Sequence, residues 1–186
     1  MQREVILVFG KSGEGKSYLV KHQLLVGKPR VVVFDTVREY HGTILHSFSE
    51  FVEYFSKEPQ EFFVSCRFDT KLEYVYAARA LWEIENVYVV LEECDNYMRS
   101  TTFSDPGHPF TKIVTQGRHK RINIIGITIR PHLVSVSLRS IVTHAYVFRH
   151  TEPSELAYLE EWGFDSDTVF NLARREYEER EMIRTA

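Results

Sequence analysis

The sequence predicts a single α/β domain over residues 1–186, in which a mostly parallel sheet carries helices on both faces. Three observations predict this fold class. Short apolar runs rich in β-branched residues alternate with segments of helical periodicity. The apolar runs are unbroken, as expected for strands that are buried on both faces. A chain of 186 residues that is 44% hydrophobic and 26% charged suits one globular domain and excludes a disordered one.

Each element follows from its own stretch of sequence. The apolar runs predict strands at residues 5–9, 31–34, 62–66, 87–91, 122–128 and 145–148. Apolar residues at helical spacing predict helices at residues 17–26, 48–55, 72–84, 110–117 and 152–162. A polar loop is expected over residues 100–109, and the alternating charges of residues 174–181 suit either a solvated helix or an edge strand.

The composition excludes several classes of protein. No apolar run approaches the roughly 18 residues that span a bilayer, so we expect no lipid insertion by the chain itself. The two cysteines, Cys66 and Cys94, form no CxxC pattern and are expected to be buried and reduced. A net charge of −3 argues against a protein that coats DNA with its whole surface. A ring that presents a few basic loops to a central channel needs no overall positive charge, so DNA stays possible as a partner.

One motif directly follows the first predicted strand and precedes the first predicted helix. It matches GxxxxGK[ST] in full, with the residues Gly10, Lys11, Ser12, Gly13, Glu14, Gly15, Lys16 and Ser17. Glycines at this spacing let backbone N–H groups point inward at phosphate oxygens, and the helix that follows adds its positive N-terminal end. Lys16 is expected to reach the β- and γ-phosphates of ATP, and the Ser17 hydroxyl to bind Mg²⁺. A chance glycine-rich turn is the alternative, and the strand–motif–helix context disfavours it.

Two acids, Glu92 and Glu93, follow the predicted strand at residues 87–91. In a phosphate-binding site of this type, an acid at the tip of a neighbouring strand orients Mg²⁺, and a second acid can activate the attacking water. We therefore assign Glu92 to the metal and Glu93 to the role of general base. The alternative is that both acids simply begin a solvated loop.

Four stretches together resemble the HerA/FtsK class of motor ATPases. They are the glycine-rich motif, residues 31–40 with Asp35 and the Glu-Tyr pair that follows it, residues 91–97, and residues 116–131. The resemblance extends over residues 4–162. It implies a RecA/ASCE-like P-loop NTPase fold, ATP and Mg²⁺ as ligands, a homo-oligomeric ring (hexamer or pentamer) and double-stranded DNA in its channel.

The short chain resembles in particular the genome-packaging ATPases of tailless icosahedral viruses with internal membranes. That likeness implies packaging of viral DNA into a capsid, a capsid or membrane protein at the portal vertex as docking partner, and action in the host cytoplasm or on the virion. Two residues depart from the class pattern. Glu92 replaces the usual Asp, and Ile129 stands at the position of the sensor glutamine, so Thr128 is the candidate to contact the γ-phosphate.

Several residues keep more than one interpretation. Ring ATPases use an arginine from the neighbouring subunit, and the resemblance favours Arg118 over Arg139 and Arg149 for that role. The basic residues 118–121 suit either a DNA contact or a solvated loop, and the polar residues 98–105 suit either a channel loop or an inert one. Asp35 either assists the Mg²⁺ shell or caps the next turn.

Two other functions stay open on the sequence. One is a small P-loop kinase or phosphotransferase, which would need an acceptor pocket and an arginine-bearing lid that the sequence does not clearly show. The other is an ATPase that moves protein during phage morphogenesis or secretion.

Overall fold

The computed structural model describes residues 3–97, 99 and 105–182. Within them one eight-stranded sheet has the strand order β3-β4-β2-β5-β6-β1-β7-β8. The strands are β1 (Val5–Phe9), β2 (Arg30–Phe34), β3 (Thr43–Leu45), β4 (Phe62–Cys66), β5 (Val87–Leu91), β6 (Ile122–Thr128), β7 (His144–Phe148) and β8 (Tyr177–Glu181). All pairings are parallel except that of β8 with β7, which is antiparallel. The predicted mostly parallel sheet is therefore confirmed.

Helices cover both faces of the sheet. They are α1 (Lys16–Leu19), α2 (Phe48–Phe55), α3 (Lys71–Ala80), α4 (Pro109–Gln116), α5 (Val136–Arg139), α6 (Pro153–Glu160) and α7 (Ser166–Asn171). A π-helical segment, Val20–Leu24, continues α1. None of the helices in the described residues is long and apolar enough to cross a membrane.

The alternation of side chains along each strand divides the core into two clusters. Val5, Leu7 and Phe9 of β1 pack with residues of α2, α3, α4, α6 and α7 on one face. Ile6 and Val8 pack on the other face against α1 and the π-helical segment after it. Because both faces are buried, the strands show no polar alternation, which is the pattern that predicted them. Both cysteines are buried free thiols, as expected.

The sequence missed the short strand β3 at one edge of the sheet, and it gave β8 at the other edge only as one of two interpretations. Only one residue of the three-residue strand β3 is buried, and β8 is built largely from charged residues. Edge strands of this kind present side chains to water, so they leave no apolar run in the sequence. Of the two interpretations of residues 174–181, the edge strand is confirmed for Tyr177–Glu181.

The parallel strands bring several loops to one edge of the sheet. β1, β5, β6 and β7 lie side by side in the order β5-β6-β1-β7, and their carboxyl ends point the same way. The loops that leave these ends therefore meet, which is where open α/β sheets bind ligands. The glycine-rich loop after β1 and the two glutamates after β5 belong to this edge.

Candidate nucleotide site

The glycine-rich loop wraps between β1 and α1 because its glycines adopt a backbone that other residues disfavour. Gly13 and Gly15 have φ values of 81° and 114°. Gly10 packs so closely against β7 that an added Cβ would lie 2.5 Å from the Cβ of Phe148. The loop therefore needs glycine both for its turn and for its contact with the neighbouring strand.

Lys16 lies inside this loop. Its Nζ donates hydrogen bonds to the carbonyl oxygens of Gly10 (2.7 Å) and Lys11 (2.8 Å). Burial lowers the pKa of the Lys16 ammonium, and the negative charge of Glu92 partly offsets that effect. The ammonium is thus held at the mouth of the loop, next to the acids that follow β5.

The end of β7 anchors the loop from outside. The Lys11 backbone N–H donates to the Arg149 carbonyl (3.3 Å), and its Nζ donates to the Thr151 hydroxyl (2.7 Å). Arg149 Nε lies 3.6 Å from Glu14 Oε1. The side chains of Lys11 and Glu14 therefore fix the loop. His150, buried beside it, has a pKa lowered to about 4 by burial and by the nearby charges of Lys16 and Lys11.

Glu92, the first residue after β5, is buried near the start of α1. Its carboxylate accepts a hydrogen bond from the Tyr40 hydroxyl at 2.8 Å. The Ser17 hydroxyl is near enough to favour the charged carboxylate. Burial raises the pKa of Glu92 to about 7, although the two hydroxyls and Lys16 favour the charged form. The two residues assigned to the metal, Ser17 and Glu92, thus lie near each other at the same cavity.

Glu93 differs from its neighbour because it is exposed. Its backbone is left-handed (φ 51°), which turns the side chain toward the open cavity. The carboxylate accepts weak hydrogen bonds from the Thr36 hydroxyl (3.3 Å) and the Asn96 amide (3.4 Å). The strand end therefore places one acid in the protein interior and one facing solvent, and the roles of metal ligand and general base that the sequence assigns to them stay predictions.

A polar network at the same cavity contains the buried Asp95 and Thr128 and the exposed Arg130. Thr128 Oγ1 donates to Asp95 Oδ1 (2.7 Å), and Arg130 Nη2 lies 2.6 Å from Asp95 Oδ2. The Thr128 hydroxyl therefore already donates its hydrogen bond to Asp95. The contact predicted between Thr128 and the γ-phosphate stays a prediction, and it requires the hydroxyl to donate to the phosphate instead. Ile129, about half exposed, lines the cavity without a polar atom. The sequence did not single out Asp95 and Arg130 as site residues.

Arg174 and Arg175, in the segment just before β8, also contact the loop. The Arg175 backbone N–H donates to the Glu14 carbonyl (3.0 Å), and Arg174 Nε donates to the Gly13 carbonyl (3.2 Å). The charge pattern of this tail gave no sign of the contact, because the antiparallel pairing of β8 with β7 is what brings it there.

These groups enclose a cavity of about 470 Å³. The predicted site residues that line it are Ser12, Gly13, Gly15, Lys16, Ser17, Glu92, Glu93 and Thr128. Gly10, Lys11 and Glu14 shape the loop without lining the cavity. Arg130, Arg174 and Arg175 are additional lining residues.

The remaining predicted residues lie elsewhere. Arg118 is exposed in a 3₁₀ turn before β6, at the sheet edge opposite the cavity, and makes no ion pair with any described residue. Arg139 and Arg149, by contrast, face Glu161 and Glu14 of their own chain. Asp35 is fully buried and accepts from the backbone N–H groups of residues 39 and 40, so it caps the turn. Residues 98 and 100–104 of the predicted polar loop lie outside the described residues.

Solved structures with a similar fold share little sequence with this chain. The genome packaging NTPase B204 from Sulfolobus turreted icosahedral virus 2, in complex with AMP, gives a TM-score of 0.77 at 16% identity, covering 96% of this chain and 92% of that chain. Its complex with ATP-gammaS gives 0.75 at 15% identity, with coverage of 96% and 92%. This chain has the P-loop NTPase fold.

A more distant structure has the same fold. VirB4 of Thermoanaerobacter pseudethanolicus gives a TM-score of 0.58 at 11% identity, covering 91% of this chain and 84% of that chain. No protein-family model and no curated protein matches the sequence. At these identities the likeness to P-loop NTPases is one of fold.

The donor atoms of this P-loop NTPase fold suit Mg²⁺. The described residues contain no group of three or more His, Cys, Asp or Glu side chains that could hold a metal ion unaided. Mg²⁺ is commonly held by one or two protein oxygens together with substrate phosphates, and it does not need such a cage. The neighbouring oxygens of Ser17 and Glu92, near Lys16, could form that smaller set.

The buried Glu92 gives the ligand-free chain a testable pH dependence. The folded state raises the pKa of Glu92 to about 7, so it binds this proton more tightly than the unfolded chain does. The contribution of Glu92 to stability is therefore present at acidic pH and is lost as the pH rises through about 7. We expect Glu92→Gln to be more stable than the wild type above that pH, by at most about 3 kcal/mol, with a smaller difference near pH 5.

Denaturant unfolding of both chains, without Mg²⁺ or nucleotide, measures this difference. His150, whose pKa is lowered, changes stability with pH in the direction opposite to Glu92. Because both chains contain His150, its effect cancels in the difference between their unfolding free energies. A difference in unfolding free energy that stays constant between about pH 5 and pH 8 would contradict the raised pKa.

Proposed function

We propose that this chain binds Mg-ATP, hydrolyses it, and acts as a subunit of a ring-shaped motor that moves double-stranded DNA during viral genome packaging. The observation that carries the hydrolytic part is the arrangement at one cavity of Lys16, the Ser17–Glu92 pair and the exposed Glu93. B204, the genome packaging NTPase of Sulfolobus turreted icosahedral virus 2 and the DNA-packaging ATPase of Sulfolobus turreted icosahedral virus, supports the assignment to DNA.

The residues of the loop would bind the polyphosphate. The backbone N–H groups around Gly13 and Gly15, together with the N-terminus of α1, provide donors for phosphate oxygens. Lys16 would exchange its bonds with the loop carbonyls for bonds to the β- and γ-phosphates. Ser17 and Glu92 would hold Mg²⁺, which supplies positive charge to the phosphate oxygens.

Glu93 would act on the water. As the water oxygen bonds to the γ-phosphorus, the bond from that phosphorus to the β–γ bridging oxygen breaks, and ADP leaves with that oxygen. Glu93 accepts the proton of the attacking water. Its exposure at the cavity and its weak hydrogen bonds leave the carboxylate available for this role.

The ring belongs to the same proposal. In a hexamer or pentamer, Arg118 would act on the nucleotide of the neighbouring subunit, because it is exposed, has no acid partner among the described residues and lies far from the site of its own chain. A capsid or membrane protein at the portal vertex would dock the ring, in the host cytoplasm or on the virion.

One observation bears on the kinase alternative. Arg174 and Arg175 lie over the P-loop, where a kinase lid would carry arginines. Their segment leads directly into β8 and is bonded to the loop backbone, whereas a kinase lid closes as a separate element. Because Glu93 also opens onto the cavity, we favour water as the acceptor of the phosphoryl group.

Phosphate release from Mg-ATP, measured with and without double-stranded DNA, tests this function. We expect DNA to raise the rate several-fold at low salt and the stimulation to decline as salt is added, because phosphate contacts are screened. A rate unaffected by DNA at every salt concentration, with transfer of phosphate to a nucleoside or nucleotide, would replace the motor by the kinase.

A further inference from the structure

The cavity has two chemically different ends. Ser17, Glu92 and Glu93 mark the end at which the metal and the γ-phosphate would sit. Arg175, which precedes β8, and Tyr18, which contacts it, line the side of the cavity toward β8, and the strands β6, β1 and β7 separate β8 from β5. A nucleotide whose γ-phosphate lies at the acidic end must direct its nucleoside away from it, along the loop.

Arg175 is held over the P-loop by several independent contacts. Its backbone N–H donates to the Glu14 carbonyl at 3.0 Å. Its Cγ would lie 3.2 Å from a Cβ added at Gly15, so the tail approaches this closely only because position 15 is glycine. Arg175 also has a left-handed backbone, with φ of 71°, which a residue other than glycine adopts at a cost.

Tyr18 and Arg175 present flat, exposed faces to the cavity. The Cζ of Arg175 lies 5.1 Å from the centre of the Tyr18 ring. Tyr18 is 48% exposed, and Arg175 makes no ion pair with a described residue. The Tyr18 ring also packs beside His22, with 4.3 Å between the ring centres, so its position on α1 is supported from one side. Planar guanidinium and phenol groups stack well on aromatic rings.

The phosphates already have their own cation. Lys16 lies inside the loop. Arg174 donates a hydrogen bond from Nε to the Gly13 carbonyl, which helps to hold the tail in place. Arg175 is thus free to contact a different part of the ligand.

We propose that Tyr18 and Arg175 form the nucleobase subsite of this cavity and bind the base by stacking. This inference rests on the proposed function, because it requires that the P-loop bind the phosphates of the same ligand. The chain would then hold a nucleoside triphosphate at both ends, with a part of the site supplied by its own C-terminal segment.

The affinities of the chain for ATP and for inorganic tripolyphosphate, both with Mg²⁺, separate the two ends of the site. Arg175→Gly removes the guanidinium and relieves the left-handed backbone, so its melting temperature should be no lower than that of the wild type. We expect this variant to bind ATP roughly tenfold more weakly, as for one lost stacking contact, and to bind tripolyphosphate as the wild type does.

Tyr18→Ala should give the same pattern, and Tyr18→Phe should restore most of the affinity for ATP because it keeps the ring. Arg180→Ala is the matched control, since Arg180 lies on β8 and faces Phe164 instead of the cavity. It should bind both ligands as the wild type does.

Other outcomes overturn the proposal in distinguishable ways. If Arg175→Gly lost equal affinity for ATP and for tripolyphosphate, Arg175 would be a phosphate contact. If neither affinity changed, Arg175 would be a solvated side chain. A wild-type chain that binds neither ATP nor tripolyphosphate would remove the proposed function itself, and this subsite with it.

Discussion

Replacing Glu93 by glutamine is expected to slow ATP hydrolysis by roughly two to four orders of magnitude and to leave ATP binding intact. The amide cannot take the proton of the attacking water at neutral pH. Binding should persist because Glu93 is exposed and its side-chain hydrogen bonds within the described part of the chain go to Thr36 and Asn96, while the P-loop and the Ser17–Glu92 pair stay in place. Single-turnover hydrolysis and ATP titration of the same preparation measure the two quantities.

Glu39→Gln provides the control for this substitution. Glu39 also lines the cavity and loses the same charge, but it lies beside Lys21, with the two charged groups 3.8 Å apart. We expect its hydrolysis rate to change by no more than about twofold, as for a surface charge. If Glu93→Gln kept a comparable rate, Glu93 would not be the base, and Glu92 would be the next acid to test.

Replacing Lys16 by alanine is expected to weaken ATP binding by roughly a hundredfold, because it removes the charge-assisted hydrogen bonds to two phosphates. The fold should survive, since the bonds of Nζ in this structure go to the carbonyls of Gly10 and Lys11, at the surface of the cavity. ATP titration beside a thermal melt measures both effects.

Lys11→Ala is the matched control in the same loop. The Lys11 ammonium bonds to Thr151 and does not line the cavity, so its removal should loosen the loop and cost much less affinity. If the two lysine variants lost equal affinity, the contribution of Lys16 would be to loop structure instead of phosphate binding.

The sequence predicted the parts of the site that have a local signature. The P-loop is one continuous motif between a strand and a helix, so its spacing alone locates Lys16 and Ser17. Glu92 and Glu93 follow an unbroken apolar strand. β6 lies between that strand and β1, and the shared direction of the three strands brings the acids to the side of the sheet that holds the P-loop. The sequence could not tell which acid is buried, because that depends on Tyr40 and on the left-handed backbone at Glu93.

The parts that were missed depend on contacts between distant segments. Asp95 meets Arg130 across 35 positions, and Arg174 meets Gly13 across 161 positions. No periodicity or spacing marks such pairs, since each residue alone has the pattern of an ordinary surface charge. The nucleobase subsite in particular exists only because β8 returns antiparallel to β7 and carries the tail across the P-loop.

The displacement of a third strand from a DNA triplex by this chain in the presence of Mg-ATP most directly tests whether it is a motor. A subunit that moves along double-stranded DNA should release the third strand in an ATP-dependent way, and Glu93→Gln should bind DNA and ATP without releasing it. Steady ATP hydrolysis by the wild type with no release of the third strand, at salt concentrations where DNA is bound, would contradict the proposed translocation.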